Sequence, residues 1–387
     1  MKINKLEFSN HEVLNDLAID FTDETGTPLD IVVFIGDNGT GKTRLLEAIV
    51  EVFNDWRPDS KNINDTEVAN DYLSISLDES FEKSIKASIK QNVWTYYKDI
   101  PAESPQIVWM PTGLNIKETS TNPPTSKVTL VESASDWNLK TVSDYIVDII
   151  DTAVYDNKDV APRVVIKKMA TELNDIFDLL NLSFELTGVT VDNGKTPKFR
   201  NILSNEEFDI NSLSSGEKHL FLSILSLKRL KVNNAIIIID EPETSLHPEW
   251  QRKIIDVYKN VGKNNQLIIA THSPLIVGSV PSESIRILSR NEAGRVEITH
   301  QDADDQTYGK SVEDILKITM DLASLRNEET TRKLDRARTL LEIGAYDSAD
   351  YKELIAELQN QLGSADRDIM RIEMQKSVRM RENAENN

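Results

Sequence analysis

Residues 211–248 read NSLSSGEKHLFLSILSLKRLKVNNAIIIIDEPETSLHP and contain two motifs with a chemical meaning. The first is Leu213–Glu217, a hydroxyl-rich turn with a glycine that opens a helix. The free N–H groups and the positive dipole end of such a helix suit an anion such as phosphate. The second is Ile236–Glu241, an apolar β-branched run that is typical of a buried parallel strand and ends in two acids. Because a buried carboxylate is costly unless a metal or a partner compensates its charge, this strand end predicts a functional site.

A further phosphate site is predicted near the start of the chain. The short apolar strand Ile31–Ile35 runs into a complete GxxxxGKT loop, and a helix is predicted to follow from Lys42 to Asn54. Glycines in such a loop permit the dihedrals that turn N–H groups onto phosphates, the lysine reaches the β and γ oxygens, and the threonine hydroxyl can bind magnesium. The loop consists of Gly36, Asp37, Asn38, Gly39, Thr40, Gly41, Lys42 and Thr43.

In order and spacing, these motifs resemble those of the ATP-binding-cassette (ABC) ATPases, in the branch that includes the RecF, SMC and OLD-like proteins. Residues Gly36–Thr43 resemble the Walker A loop, Leu213–Glu217 the signature motif and Ile236–Glu241 the Walker B strand. The D-loop of this branch resembles Pro242–Pro248, PETSLHP, and its switch-histidine loop resembles Thr271–Pro274, THSP. The resemblance covers most of residues 1–300.

The resemblance implies a homodimer, or a higher oligomer of dimers, in which two chains sandwich two ATP molecules with Mg²⁺. One chain would supply Lys42 to neutralise phosphate charge, and Thr43 and Asp240 to hold magnesium directly or through water. Glu241 would orient or deprotonate the attacking water, and His272 would sense the γ-phosphate. Turnover is expected to be slow, because the task of such a protein is switching. The other chain would bring its signature residues to the γ-phosphate, namely Ser214, Ser215, Gly216 and Glu217.

Composition narrows the class of protein. The formal net charge of −20 argues against a generally basic surface that coats nucleic acid, although a local basic groove and a DNA contact stay possible. The chain has no cysteine, which excludes disulfides and thiolate zinc sites and fits a reducing compartment. Because no apolar run approaches the length of a membrane span, we expect a cytoplasmic protein with no membrane partner.

The predicted fold is α/β, an ABC ATPase head with a mixed or parallel core sheet and an antiparallel N-terminal β subdomain. Residues 1–135 and 205–300 are expected to form a discontinuous ATPase core. Residues 136–204 are expected to form a helical lobe with a β-hairpin, and they carry no sustained heptads, so no coiled-coil arm is predicted. Residues 305–387 are expected to form a helical domain for oligomerisation or partner docking, with the last dozen residues frayed.

One expected part of the ATPase has no clear counterpart. Related ATPases carry a glutamine after a core strand, where it touches magnesium and the attacking water. Here Gln106 precedes the predicted strand and Gln91 lies on a helix predicted over Glu79–Asn92, so neither is assigned that role.

The tail suggests how the ATPase is used. Tyr308–Leu316, YGKSVEDIL, followed by Arg326 and paired helices, resembles stand-alone ATPases of anti-phage defence, those of the Septu (PtuA) and PARIS systems. This resemblance implies a separately encoded nuclease or effector of the HNH or Toprim type. The chain itself shows no nuclease motif, since Asp302, Asp304 and Asp305 resemble a Toprim cluster only superficially.

Three hypotheses about function therefore stay open. The first is a nucleotide-gated scaffold that controls an effector in anti-phage defence. The second is a RecF-like DNA-repair ATPase that clamps DNA, which a basic groove and DNA-stimulated hydrolysis would favour. The third, the nucleotide-binding subunit of a transporter, is disfavoured by the PETSLHP loop and the helical tail.

Overall fold

The computed structural model describes residues 1–55, 67–78, 107–112, 131–133, 138–190, 195–300, 306–320 and 326–385. The chain divides into two units, Met1–Ile315 and Leu316–Asn387. The predicted helix Glu79–Asn92, together with Gln91, Gln106 and the three aspartates Asp302, Asp304 and Asp305, lies outside the described residues.

The described strands all belong to the first unit, and the described helices belong to both units. In chain order the strands are β1 (Ile3–Phe8), β2 (Ala18–Asp20), β3 (Ile31–Gly36), β4 (Glu67–Ala69), β5 (Leu73–Leu77), β6 (Ile107–Met110), β7 (Val131–Ser133), β8 (Phe184–Thr190), β9 (Thr196–Asn201), β10 (Glu207–Asp209), β11 (Ile236–Asp240), β12 (Gln266–Ala270), β13 (Ile285–Arg290) and β14 (Val296–His300). The helices are α1 (Lys42–Asp55), α2 (Leu139–Asp156), α3 (Pro162–Asn174), α4 (Ser215–Arg229), α5 (Pro248–Gln251), α6 (Ile254–Asn260), α7 (Pro274–Val277), α8 (Val312–Asp314), α9 (Glu328–Glu342), α10 (Ala349–Leu362) and α11 (Arg367–Glu385). Among the described residues, no helix is both long and apolar enough to span a membrane.

The core of the first unit is a seven-stranded sheet in the order β14-β13-β3-β12-β11-β6-β7. Its strands run parallel except for β14, which pairs antiparallel with β13. Every residue of β11 and β12 is buried, because parallel strands covered on both faces need apolar side chains in succession. This arrangement confirms the predicted α/β fold with a parallel core sheet.

An antiparallel sheet in the order β2-β1-β5-β4 forms the N-terminal part of the unit. In it, Leu6 of β1 lies opposite Ile19 of β2, so the predicted antiparallel N-terminal β subdomain is confirmed. One face of β5 is buried at Leu73, Ile75 and Leu77, as period-two alternation requires.

A buried glutamine joins this antiparallel sheet to the core sheet. Gln266 at the start of β12 is fully buried. Its side-chain amide accepts a hydrogen bond from Ile3 N at 2.7 Å and donates to Ile3 O and to Leu29 O, both at 3.0 Å. All the polar atoms of this side chain are therefore used to connect three segments that are distant in sequence.

We expect Gln266→Leu to lower the free energy of unfolding by on the order of 3 kcal/mol. The apolar side chain would leave three buried backbone groups without their partners, and each costs about 1 kcal/mol or more. Urea unfolding of the two proteins measures the difference. A loss below about 1 kcal/mol would mean that water or another group replaces the amide.

The region between the two halves of the core contains α2, α3 and a small sheet in the order β10-β9-β8. Asn138 caps α2 by accepting from Thr141 N at 2.9 Å. Helix α4 is buried along almost its whole length, as its apolar sequence predicts. Its Phe221 stacks on Phe177 with ring centroids 4.5 Å apart, which anchors the helix against this lobe.

The C-terminal unit is built from α9, α10 and α11 around its own apolar core. The prediction that the last dozen residues fray is wrong, because α11 continues to Glu385. Ile369 and Ile372 of α11 are buried in this core. Arg379 Nη1 also donates to the carbonyls of Leu341 and Glu342 at 2.7 Å, which satisfies the end of α9.

Candidate functional site

The predicted phosphate loop, acidic strand end and switch-histidine loop meet at one edge of the core sheet. Parallel pairing aligns Ala270 with Phe34 and with Asp240, so β3, β12 and β11 end side by side. The carboxyl ends of parallel strands are where open α/β sheets bind their ligands. The loop 36–43, the acids after β11 and the loop after β12 therefore share one edge.

The loop between β3 and α1 has a backbone that only glycine adopts easily. Gly36 has φ +146°, and a Cβ placed on it would lie 2.1 Å from Leu288 O on β13. The loop is also tied to β13 by Arg290, which donates to Gly39 O at 2.7 Å. Sequence patterns did not indicate Arg290, because its contact depends on β13 pairing next to β3.

The loop lysine is enclosed by the loop itself. Lys42 is only 6% exposed, and its Nζ donates to Gly36 O at 2.8 Å and to Asp37 O at 3.0 Å. Burial lowers the pKa of Lys42, while the charges of Asp240 and Glu241 act in the opposite direction. A buried cation that donates to carbonyls and faces acids is suited to exchange those carbonyls for phosphate oxygens.

Asp240 at the end of β11 is the polar centre of this edge. It is 5% exposed, and its Oδ2 accepts from Thr43 Oγ1 at 3.0 Å and from Thr112 Oγ1 at 2.6 Å. The contact with Thr43 joins the loop 36–43 to the acidic strand end, as the motif resemblance implies. Thr112 was not predicted. It follows β6, which pairs in parallel with β11, so that only the strand order brings it to this edge.

Two oxygen groups at this edge suit magnesium that also binds a phosphate ligand. Among the described residues, no group of three or more His, Asp or Glu side chains could hold a metal. Thr43 and Asp240 offer one hydroxyl and one carboxylate. Mg²⁺ commonly binds through one or two such protein ligands while keeping water and substrate phosphates, so this pair fits a magnesium–nucleotide complex.

Glu241 follows Asp240 in an unusual backbone conformation. Its φ is +49°, and its N–H donates to Ala270 O at 2.8 Å, the last residue of the neighbouring strand. A non-glycine residue in the left-handed region is uncommon, and such strain is concentrated at functional sites. The chain therefore leaves the sheet in a sharp turn immediately after the two acids.

The loop after β12 is held by the D-loop of the same chain. Glu243 Oε1 accepts from Thr271 Oγ1 at 2.8 Å and from His272 N at 2.7 Å. Burial raises the pKa of the Glu243 carboxyl, and these hydrogen bonds act in the opposite direction. Ser273 caps α7 and donates to Gln251 Oε1 at 2.7 Å. His272 is half-buried in this fixed loop.

The signature residues begin α4. Ser214 and Glu217 form a capping box, with Glu217 Oε2 accepting from Ser214 N at 2.7 Å. Ser214 and Ser215 are exposed, whereas Gly216 is buried, and a Cβ there would lie 2.4 Å from Ser245 O of the D-loop. Gly216 of the signature thus lies against the D-loop of its own chain.

Two family models match the chain. Residues 1–157 match the family described as "AAA ATPase domain". Residues 129–278 match the family described as "AAA domain, putative AbiEii toxin, Type IV TA system". Together these matches include the loop 36–43, Asp240 and His272.

Curated relatives include ATPases and a Septu protein. The chain is 30% identical over 166 residues to "Retron Vc95 probable ATPase" of Vibrio cholerae serotype O1 biovar El Tor, an alignment of 40% of this chain and 32% of the relative. It is 21% identical over 321 residues to "Septu protein PtuA" of Bacillus mycoides (strain KBAB4), an alignment of 77% of this chain and 42% of the relative. The chain thus spans less than half the length of these two relatives.

A solved SMC head bound to the C-winged helix domain of ScpA is 14% identical to the chain. The match covers 77% of this chain and 97% of that structure, with a TM-score of 0.42.

Proposed function

We propose that this chain, which carries AAA-type ATPase domains related to Septu and retron ATPases, binds ATP with Mg²⁺ at the carboxyl edge of its core sheet and hydrolyses it. The observation that carries the proposal is the buried carboxylate of Asp240, which accepts from Thr43 of the phosphate loop and from Thr112. This arrangement links a phosphate-binding loop to a magnesium-binding acid, as phosphoryl transfer requires.

Each residue of this edge is assigned a role that fits its position. Lys42 would exchange its carbonyl partners for the β and γ oxygens, and Thr43 and Asp240 would hold magnesium, which would neutralise phosphate charge. Glu241, in the strained turn beside them, orients or deprotonates the attacking water. His272, in the loop after the neighbouring strand, contacts the γ-phosphate.

The complete site requires a second copy of the chain. The exposed hydroxyls of Ser214 and Ser215 stand at the N-terminus of α4, where N–H groups and the helix dipole favour an anion. In one chain Gly216 lies against its own D-loop and the two serines stay exposed, so a second copy would present them, with Gly216 and Glu217, to the γ-phosphate. Hydrolysis is slow and depends on dimerisation.

The biological task that fits a slow, dimer-dependent ATPase is control of another protein. We assign the chain the role of a nucleotide-gated scaffold in anti-phage defence that restrains or activates a separately encoded nuclease or other effector. The support is the similarity to a Septu protein and to retron ATPases.

This role is tested by tagging the chain, expressing it with its natural gene neighbours and measuring the mass and composition of the complex with and without Mg-ATP. Recovery of a stoichiometric nuclease, with a complex that changes on ATP addition, supports the scaffold. Recovery of the chain alone, dimerising with ATP and retained on DNA, would instead indicate a DNA-clamping ATPase.

Thr112 provides a test of the magnesium site that no linear motif suggests. We expect Thr112→Val to require roughly tenfold more Mg²⁺ for half-maximal hydrolysis, because loss of a hydrogen bond to a metal ligand commonly weakens metal binding to that extent. Thr112→Ser keeps the hydroxyl and serves as the matched control. Magnesium titrations of ATP hydrolysis compare the variants, and identical curves for valine and wild type would remove Thr112 from the site.

A further inference from the structure

The D-loop carboxylate of Glu243 takes part in none of the steps described above. Its Oε1 accepts from Thr271 Oγ1 and from the N–H of His272, and its Oε2 is buried without a hydrogen-bond partner among the described residues. A carboxylate is costly to bury, so a buried one beside Glu241 and Lys42 calls for a role at this edge.

The three residues Glu243, Thr244 and Ser245 lie between two parts of the proposed site. On one side, Glu243 holds the backbone of His272 and the hydroxyl of Thr271. On the other, the carbonyl of Ser245 lies where a Cβ of Gly216 would be, and Ser245 has φ +65°. The signature, which would face the nucleotide of a second copy, is thus in contact with the segment that fixes His272.

We propose that Glu243 is a positioning residue that holds His272 in the position required for hydrolysis. Through the D-loop, it also links His272 to the signature of the same chain. This inference rests on the proposed ATPase function. The carboxylate accepts two hydrogen bonds from neighbouring residues of one loop, which fixes both the backbone and the direction in which that loop leaves β12. Movement of Ser245 against Gly216 when a second copy docks is transmitted two residues along the chain to Glu243.

The variants separate the hydrogen bonds from the charge. Glu243→Gln keeps an oxygen that accepts from Thr271 and His272, whereas Glu243→Ala removes it. We expect kcat of Glu243→Ala to fall roughly tenfold to a hundredfold with little change in KM, because a small misplacement of a catalytic group costs that much. Glu243→Gln should restore at least a third of the rate. An equal loss in both variants would mean that the charge acts directly, and would overturn a positioning role.

A double-mutant cycle with His272→Ala tests whether Glu243 acts through His272. In the His272→Ala background, Glu243→Ala should cause little further loss, because both changes remove the same function. Additive losses would overturn the proposal. If Glu243→Ala folds poorly, Thr271→Val and Thr271→Ser replace it, since valine removes one of the two donors and serine retains it.

The proposed ATPase function and this inference fail differently. A wild-type chain that hydrolyses no Mg-ATP would contradict the function itself. Normal hydrolysis that His272→Ala impairs and Glu243→Ala leaves intact would contradict the positioning role alone.

Discussion

Glu241→Gln is expected to lower the rate of ATP hydrolysis by about 10² to 10⁴-fold, the range that general-base assistance contributes, while ATP binding is retained. The amide keeps the size of the side chain but cannot take a proton from water. The neighbouring Asp240, the proposed magnesium ligand, keeps its hydrogen bonds to Thr43 and Thr112.

Two measurements on Glu241→Gln separate binding from chemistry. Equilibrium titration with a fluorescent ATP analogue should give an affinity close to that of the wild type, and phosphate release should be almost absent. The bound ATP should also hold the variant as a dimer. Glu249→Gln is the matched control, because Glu249 is an exposed acid on α5. Undiminished phosphate release by Glu241→Gln would remove Glu241 from the reaction.

Gly36→Ala is expected to abolish nucleotide binding and to destabilise the first unit by about 3 kcal/mol. The new Cβ would lie 2.1 Å from Leu288 O, so either the loop or β13 must move, and φ +146° is strained for alanine. Displacement of the loop would take Thr43 away from Asp240, and displacement of β13 would break the contact of Arg290 with Gly39 that holds the loop.

Gly26→Ala is the control that isolates the contact from the backbone strain. Gly26 has φ +80°, and a Cβ there would meet nothing within 4 Å. It should cost about 1 kcal/mol and leave ATP binding intact. Thermal unfolding measures the loss of stability in both variants, and ATP titration measures their affinity for the nucleotide. Tight ATP binding by Gly36→Ala would contradict the assignment of loop 36–43 as the phosphate site.

The parts of the fold that the sequence predicts are those whose information is local. The apolar run Ile236–Ile239 predicts a buried strand, and the GxxxxGKT pattern predicts the loop between β3 and α1, because each depends only on neighbouring residues. The burial of α4 also follows from its own composition.

The residues that were missed depend on which strands become neighbours. Thr112 reaches Asp240 only because β6 pairs with β11, and Arg290 reaches Gly39 only because β13 pairs with β3. The contacts of Glu243 with Thr271 and His272 depend on the sharp turn at Glu241, which brings the D-loop to the loop after β12. Helix α11 was missed for a different reason, because two buried isoleucines in a strongly charged segment give too weak a periodic signal.

The most direct test of the composite site is to mix two inactive variants. Glu241→Gln lacks catalysis at its own phosphate loop but has an intact signature. Ser215→Arg has an intact phosphate loop, and its bulky charge on an exposed residue blocks the signature from a second copy's nucleotide. The two proteins are mixed in equal amounts before Mg-ATP is added, and phosphate release is measured.

If two copies build each site, the mixture should recover about a quarter of the wild-type rate, because half of the dimers are mixed and each of these has one intact site. Each variant alone should stay inactive. A mixture as inactive as its components, or full activity of Ser215→Arg alone, would contradict a site shared between two chains.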